Sequence, residues 1–323
     1  MRVAALLLQP AIAEIDANLE SCAGLVEGAV ADGAQLVALP EFFTTGGSFE
    51  PRLAGATLAW DGAARTFLCG LARDHGIYLG GSFLCRDADG EVRNAYLLAG
   101  PGGEVLGRHD KDLPTMWENA FYVGGADDGV IEAGDFTAGA ALCWEFMRSR
   151  TARRLRGRVD VVVGGSNWWS IPRWPPQAVT RRMDAANERN ATRAPAAFAR
   201  WVGAPVVHGS MCGPIRSRLP DLPGVTYRGR FAGAALIADA GGRTLAVRPA
   251  GAGPGHVIAD VRPRRSPPLD PVPERFWLHR RGPVPALVWH TQRAVGRRWY
   301  RRHARGRPAA ELGRRVVERA PQV

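Results

Sequence analysis

Residues 77–125 read IYLGGSFLCRDADGEVRNAYLLAGPGGEVLGRHDKDLPTMWENAFYVGG. Three apolar runs open this stretch, IYLGGSFLC (77–85), VRNAYLLAG (92–100) and GEVLGRH (103–109), and the turn signals ADGE and PGGE separate them. Runs so short with such turns predict an antiparallel meander. Elsewhere strands alternate with helices. VAALLL (3–8) reads as a buried strand, and Asn18 as the cap of a helix running to about Ala31, with Leu19, Ala23, Val26 and Val30 at helical spacing. QLVALP (35–40) is a second short strand, with Glu41 directly after it, and a helix follows from about Trp60 to Asp74. Downstream come a strand ending near Cys143, an Arg-rich helix (148–157), the strand VDVVVGG (159–165) and the loop SNWWSIPRWPP. A polar helix from Gln177 to about Asn190, a second helical piece ending near Trp201, the strand APVVHGS (204–210), a hairpin (233–249) and HVIADV (256–261) complete the pattern. The meander excludes a purely parallel doubly wound sheet and points to α/β layers built on mixed sheets.

A chain of 323 residues with 46% hydrophobic content can bury a sizeable core. Its 39 glycines and 24 prolines show no repeat period, which excludes collagen-like and low-complexity classes. The five cysteines are scattered without CxxC pairs, arguing against a disulfide framework or a zinc site and fitting a reducing cytoplasm. The apolar run in MRVAALLLQP is too short for a signal-peptide core or a membrane span. The net charge of +11 is uneven: residues 263–323 hold 15 arginines against four acids, and the first 262 residues balance at 27 of each sign. Two parts follow, a single domain over 1–262 and an Arg-rich, partly helical extension over 263–323. The high pI belongs to the extension, so no nucleic-acid partner is expected. Residues 283–305 place Val284, Leu287, Val288, Ala294, Val295 and Trp299 at roughly helical spacing among arginines. Such a helix suits contact with a membrane surface or an anionic partner, or an extension that packs on a dimer partner or stays solvated.

Lys111 is the only lysine, and the other 41 basic residues are arginine. Arginine is a permanently protonated planar fork, whereas lysine is a compact ammonium whose pKa moves on desolvation. A single lysine in such a chain is either one codon that survives in an Arg-biased coding sequence or the mark of a place that needs a point charge or a group able to gain and lose a proton. Glu41 and Cys143 also stand just past strand ends, where open sheets place their sites. Taken singly these are a turn glutamate, a surface lysine and a small buried cysteine. Together they can make a nucleophile. A thiol attacks a carbonyl or nitrile carbon only as thiolate, a carboxylate can take its proton, and an ammonium can steady the oxyanion. His208, at the end of VVHGS, is a second possible partner for Cys143. No GxSxG, GxGxxG or GxxxxGK[ST] is present, and the seven histidines lack metal-ligand spacing.

LPEFFTTG (39–46), HDKDLPTMWENAFYVGG (109–125) and ALCWEF (141–146), in that order, resemble the signature blocks of the nitrilase superfamily of carbon–nitrogen hydrolases. The opening MRVAALLLQP and the closing GAALIADAGGRTLAV and GHVIADV are similar too, so the likeness covers roughly residues 1–262. It implies an α-β-β-α sandwich of mixed sheets that pairs into a larger sandwich on dimerisation. It implies a Glu41–Lys111–Cys143 triad, support from Glu118, and an oxyanion resting on the Lys111 ammonium and the Trp144 backbone N–H. Asn167 and Trp168, with Trp169, are expected to line the substrate pocket; the alternative is that the tryptophans pack a lid or a dimer contact. No cofactor or metal is implied. The expected activity is hydrolysis of a small-molecule amide, nitrile or carbamoyl bond through a thioester or thioimidate, releasing ammonia or an amine. CWE after the strand is closer to nitrilases proper than to the CYD of aliphatic amidases. Departing from the family, Asp110 and Asp112 flank Lys111, either turned inward to raise its pKa or outward into solvent. The reading from another class is a non-catalytic binding protein whose basic tail is its working part.

Overall fold

In the computed structural model, described over residues 1–172, 175–219, 221–279 and 284–310, two mixed sheets stack face to face. The first runs Val105–Asp110, Val92–Ala99, Tyr78–Arg86, Leu36–Ala38, Arg2–Leu8, Gly255–Asp260. Its first three strands are the antiparallel meander expected from residues 77–109. The second runs Val130–Glu132, Thr137–Leu142, Val161–Gly165, Val206–Met211, Ala234–Ala238, Thr244–Pro249. The sheets join where Leu7 and Leu8 pair in parallel with Ser210 and Met211.

Arg2–Leu8 shows why its sequence is apolar throughout. Val3, Ala5 and Leu7 face inward onto Val161, Val163, Val207 and Ile237, forming the core between the sheets. Ala4, Leu6 and Leu8 face outward onto helices α1 (Ile15–Ala31) and α2 (Ala63–His75) through Leu19, Val26 and Leu68. A strand buried on both faces has no polar alternation. Each large side chain so buried contributes about 1.5–3 kcal/mol. On the other flank, α3 (Ser149–Leu155) and α4 (Gln177–Val202) cover Val162 and Val206 with Leu155, Phe198 and Val202. The layers are therefore helix, sheet, sheet, helix, as expected.

Three local expectations change. Asn18 does not cap α1, which begins at Ile15; it lies buried, and its amide bonds the N–H and carbonyl of Ala11 and the carbonyl of Thr44 at 2.7–2.9 Å. It thus pins the loop that follows Glu41. The two helical pieces after residue 177 are one helix, because Pro195 removes a single donor and the packed face on either side of it stays buried. A hairpin of Pro214–Leu219 and Leu222–Arg230 was not expected from its Arg-rich sequence; alternate residues Ile215, Ser217 and Tyr227 are its buried side.

The extension also differs from expectation. Its helix α5 (Val284–His303) packs on its own chain, against the 3-10 turn Met116–Ala120, rather than staying free in solvent. Leu287 and Val295 of the expected apolar stripe are exposed, and Gln292, Gly296 and Tyr300, four residues apart, are buried instead. Gly296 belongs there because a Cβ would sit 3.1 Å from the Asn119–Ala120 backbone. Residues 280–283 and 311–323 of the extension lie outside the described residues. No described helix is long and apolar enough to cross a membrane.

What brings the sheets' ends together is backbone contact. The Leu39–Pro40 segment crosses directly over Gly165 and Gly209, where a Cβ would meet Pro40 Cα at 2.7 Å and Leu39 carbonyl carbon at 2.6 Å. Only glycine permits that approach. Gly209→Ala should therefore lower stability by roughly 1–3 kcal/mol, as overpacking does. Urea denaturation followed by tryptophan fluorescence measures it; an unchanged midpoint would mean the crossing can relax.

Candidate active site

Glu41, Lys111 and Cys143 leave three different strand ends and meet below the Leu39–Pro40 crossing. Glu41 and Lys111 have no exposed surface and Cys143 is 3% exposed. The Lys111 Nζ donates to Glu41 Oε1 at 2.8 Å, to Glu118 Oε2 at 2.7 Å and to Thr115 Oγ1 at 3.1 Å. An ammonium has three protons, and here each has an acceptor. Glu41 Oε1 also accepts from Asn94 Nδ2 at 2.8 Å, and its Oε2 from the Asn167 N–H at 3.1 Å. Glu118 Oε2 further accepts from the Thr115 N–H at 2.9 Å and from the Tyr122 hydroxyl.

The local backbone is shaped to make these contacts. Cys143 opens the 3-10 turn Cys143–Met147 at φ +48°, Phe42 follows Glu41 at φ +57°, and Met116 precedes Glu118 at φ +46°. Non-glycine residues in this region each cost of order 1–3 kcal/mol, so packing must hold them there. Thr115 and Glu118 close a reciprocal capping box, the T-x-x-E pattern visible in TMWE.

Burial pushes the Glu41 carboxyl up to about 7, with Lys111 opposing and Glu118 reinforcing. Burial also drives the Cys143 thiol well above its ordinary value; Glu41 and Glu118 add to this, and Lys111 and the Asn167 N–H only partly offset it. The Lys111 ammonium meets the same burial, but Glu118 and Glu41 outweigh it and hold its pKa well above normal. The surroundings thus favour the ammonium form of Lys111 and the neutral thiol of Cys143.

Asp110 and Asp112 fit neither of the expected arrangements. The Asp110 Oδ1 accepts from Arg108 Nε at 2.8 Å, and Asp112 is buried in an ion pair with Arg148. Both face arginines, neither the ammonium nor open solvent. His208 does not reach the thiol: its Nε2 bonds Ser166 Oγ at 2.8 Å and its Nδ1 the Ala234 carbonyl at 3.1 Å. Trp168 packs in the apolar cluster around Cys143 with Trp144 and Met147, its indole N–H donating to Asn187 Oδ1 at 2.9 Å. Trp169 turns away and stacks between Trp117 and Tyr227, at 5.0 and 4.9 Å. The Asn167 side-chain amide is buried against Gly47 without a hydrogen-bond partner.

One group of residues was not anticipated. Glu145, two after Cys143, accepts from the Leu142 N–H at 2.9 Å and from the Asp112 N–H at 3.3 Å. Asp127 accepts from the Asp110 N–H at 2.9 Å. His109 bridges the two carboxylates, Nδ1 to Asp127 at 2.5 Å and Nε2 to Glu145 at 2.9 Å. The backbone on both sides of Lys111 is thus tied, through one imidazolium, to the turn that carries Cys143. Burial opposes the imidazolium, but Glu145 and Asp127 outweigh it and raise His109 to about 9. The spacing H-x-K and C-x-E carried the residues, though not their pairing.

Because the folded value lies above the ordinary histidine value, this contribution is complete below about pH 6.5 and lost as pH rises through about 9. His109→Gln should cost on the order of 1–3 kcal/mol at pH 6, since it removes the cation between buried Glu145 and the more exposed Asp127, with Arg154 still 3.7 Å from Glu145. The deficit relative to wild type should shrink as pH is raised through about 9. Urea midpoints of both proteins across that range test it; a constant deficit would remove the charge from the explanation.

Comparison with known proteins bears on the family and the fold. Residues 2–262 match the family model for carbon-nitrogen hydrolases. A nitrilase from Pyrococcus abyssi is 32% identical over 174 residues, covering 52% of this chain and 65% of that protein, slightly under two thirds of its length. Omega-amidase NIT2 of Xenopus tropicalis is 24% identical over 205 residues, covering 57% and 72%. Among solved structures, a carbon-nitrogen hydrolase from Helicobacter pylori G27 superposes with a TM-score of 0.63 at 18% identity, covering 81% of this chain and 89% of that one. An amidase from Nesterenkonia sp. AN1 gives 0.59 at 22% identity, covering 80% and 92%, and likewise shares the fold. A family match over most of the chain, on a fold shared with these structures, makes this protein a member of the carbon–nitrogen hydrolase family of the nitrilase superfamily.

Proposed function

We propose that the chain hydrolyses a non-peptide carbon–nitrogen bond of a small amide, nitrile or carbamoyl compound through a covalent adduct on Cys143. The observation that carries this is the fully buried Lys111 ammonium, held by Glu41 and Glu118 at 2.8 and 2.7 Å beside a buried thiol. Burying an ammonium with two carboxylates is costly, and a purely structural site is served better by apolar packing.

Each role follows from the environment. A thiol held well above its ordinary pKa does not ionise in advance, so Glu41 must take its proton as attack proceeds. A carboxyl near 7 suits that task in both directions. The sulfur adds to the substrate carbon, giving a tetrahedral oxyanion from an amide. Glu41 returns the proton to the departing nitrogen, ammonia or an amine leaves, and a thioester remains. Water, deprotonated by Glu41, then releases the acid and restores the thiol. With a nitrile, the same addition and protonation give a thioimidate. Since all three Lys111 protons already have acceptors, Lys111 steadies the oxyanion mainly through its charge, with the Trp144 backbone N–H as the direct donor. On this reading Asn167, whose N–H bonds Glu41, and Trp168, in the apolar cluster with Cys143, are the side chains that meet the rest of the substrate. The Pyrococcus relative is named a nitrilase and the Xenopus one an amidase, so the bond is best identified by ammonia release from matched nitriles, amides and carbamoyl compounds.

Cys143→Ala should abolish turnover, and Lys111→Arg should lower kcat about a hundredfold or more, because a planar guanidinium cannot place its charge where the compact ammonium sits between Glu41, Glu118 and Thr115. Undiminished turnover by Cys143→Ala would favour a non-catalytic or differently catalysed role. The pH profile gives a separate check. Glu41 must be ionised to accept the proton, so kcat/KM should rise as pH climbs through about 7. Asn94→Ala removes a donor that lowers the Glu41 pKa, so that limb should move to higher pH. A limb that stays in place would separate it from Glu41.

A further inference from the structure

The nucleophile is nearly sealed, and part of the seal comes from outside the family match. Around Cys143 lies an apolar cluster of Trp144, Met147 and Trp168, against which Met116, Trp277 and Trp289 pack. Trp277 and Trp289 belong to the extension, beyond the residues 2–262 that the family model covers. Residues 276–278 are laced to the exit of the nucleophile turn. The Leu278 N–H donates to the Met147 carbonyl at 2.8 Å, the Ser149 N–H to the Phe276 carbonyl at 3.1 Å, and Arg148 and Trp277 form an antiparallel bridge. The edge contact between Trp277 and Trp144 has a centroid separation of 4.8 Å.

The second hold is on the turn that carries Glu118. The Trp289 indole N–H donates to the Pro114 carbonyl at 3.2 Å. Farther along α5, Gly296 sits on the Asn119–Ala120 backbone and Trp299 on Phe121, with ring centroids 5.3 Å apart. The Tyr300 hydroxyl accepts from the Val92 N–H at 2.8 Å and donates to Glu91 at 2.6 Å. One segment of chain is thus fastened to both catalytic turns, and it leans two indoles on the cluster that contains the nucleophile.

We propose that Trp277 and Trp289 form an intramolecular wall that sets the size of the substrate group accepted beside Cys143, restricting the enzyme to short acyl or nitrile substituents. This rests on Cys143 being the nucleophile, but the steric claim can be measured without turnover. A group larger than the space left by the two indoles has to displace residues 276–278 from the Met147–Ser149 backbone or α5 from its Trp289, Gly296 and Tyr300 contacts. A short group does not.

The experiment labels the full-length protein with iodoacetamide and with a naphthyl-substituted iodoacetamide, and follows Cys143 alkylation by peptide mass spectrometry. The quantity of interest is the ratio of the bulky to the small rate, which cancels changes in thiol reactivity. Trp289→Ala and Trp277→Ala should each raise that ratio about tenfold or more, the range expected when a pocket wall is cut back. Trp289→Phe should return it toward the wild-type value, which a general loosening of the fold would not. Unchanged ratios in both alanine variants would overturn the wall. Full turnover by Cys143→Ala would instead overturn the nucleophile assignment, and the two failures are read in different proteins.

Discussion

The site depends on one buried ammonium. Removing a charge from water costs several kcal/mol even after relaxation, and the cost is met only when opposite charges and hydrogen bonds surround it. Lys111 satisfies this with two carboxylates and a hydroxyl, one for each proton. That requirement fixes much else. Glu41 has to arrive from another strand of the same sheet, Glu118 from a turn seven residues on, and Thr115 has to close that turn. Arginine could not take the position, because its planar fork would need its five N–H groups matched in a space shaped for one compact head.

The arrangement also divides labour between two carboxylates of the same type. Glu118 Oε2 collects donors from Lys111, Thr115 and Tyr122. Glu41 shares the Lys111 ammonium, and burial dominates it, so its proton affinity comes close to neutral. Two carboxylates with one cation between them cannot both be equally well served, which in the proposed reaction leaves Glu41 to move protons. Strain supports the same end. Phe42, Met116 and Cys143 hold the left-handed conformation beside Glu41, near Glu118 and at the proposed nucleophile. The imidazolium bridge from Asp127 to Glu145 secures the backbone that carries two of the three groups.

The sheets were legible because strands buried on both faces leave an unbroken apolar run, as in residues 3–8, and because the turns ADGE and PGGE punctuate the meander. Glu41, Lys111 and Cys143 could be grouped from the sequence because a solitary lysine among arginines is a visible anomaly, and the fold brings the three together. What could not be read shares one cause, partners distant in sequence. Asn18 looks like a cap, since its true partners, Ala11 and Thr44, are known only once the loop after Glu41 is placed. His109 looks like a strand residue until Asp127 and Glu145 are brought to its two nitrogens. The α5 contact face was missed because it is marked by a glutamine and a glycine, chosen for fit to a turn rather than for apolarity.

The arginines themselves then have a physical reading. Across the junction with the extension, arginines of the body bind its carbonyl oxygens: Arg86 that of Ala304 at 2.8 Å, Arg153 that of Pro273 at 2.6 Å, and Arg156 that of Asp270 at 2.6 Å. Arg200 and Arg305 add ion pairs to Asp270 and Glu91, at 2.7 and 2.8 Å. Partly exposed pairs of this kind contribute little singly. A guanidinium, however, can bind several oxygens at fixed angles while its stem covers apolar surface, which suits the fastening of irregular chain to a finished domain. Lysine, a point charge on a flexible stem, does this poorly and does the opposite task well. The composition therefore follows a division of work: arginine where backbone must be strapped down across a surface, and lysine at the single position where one compact charge has to be surrounded.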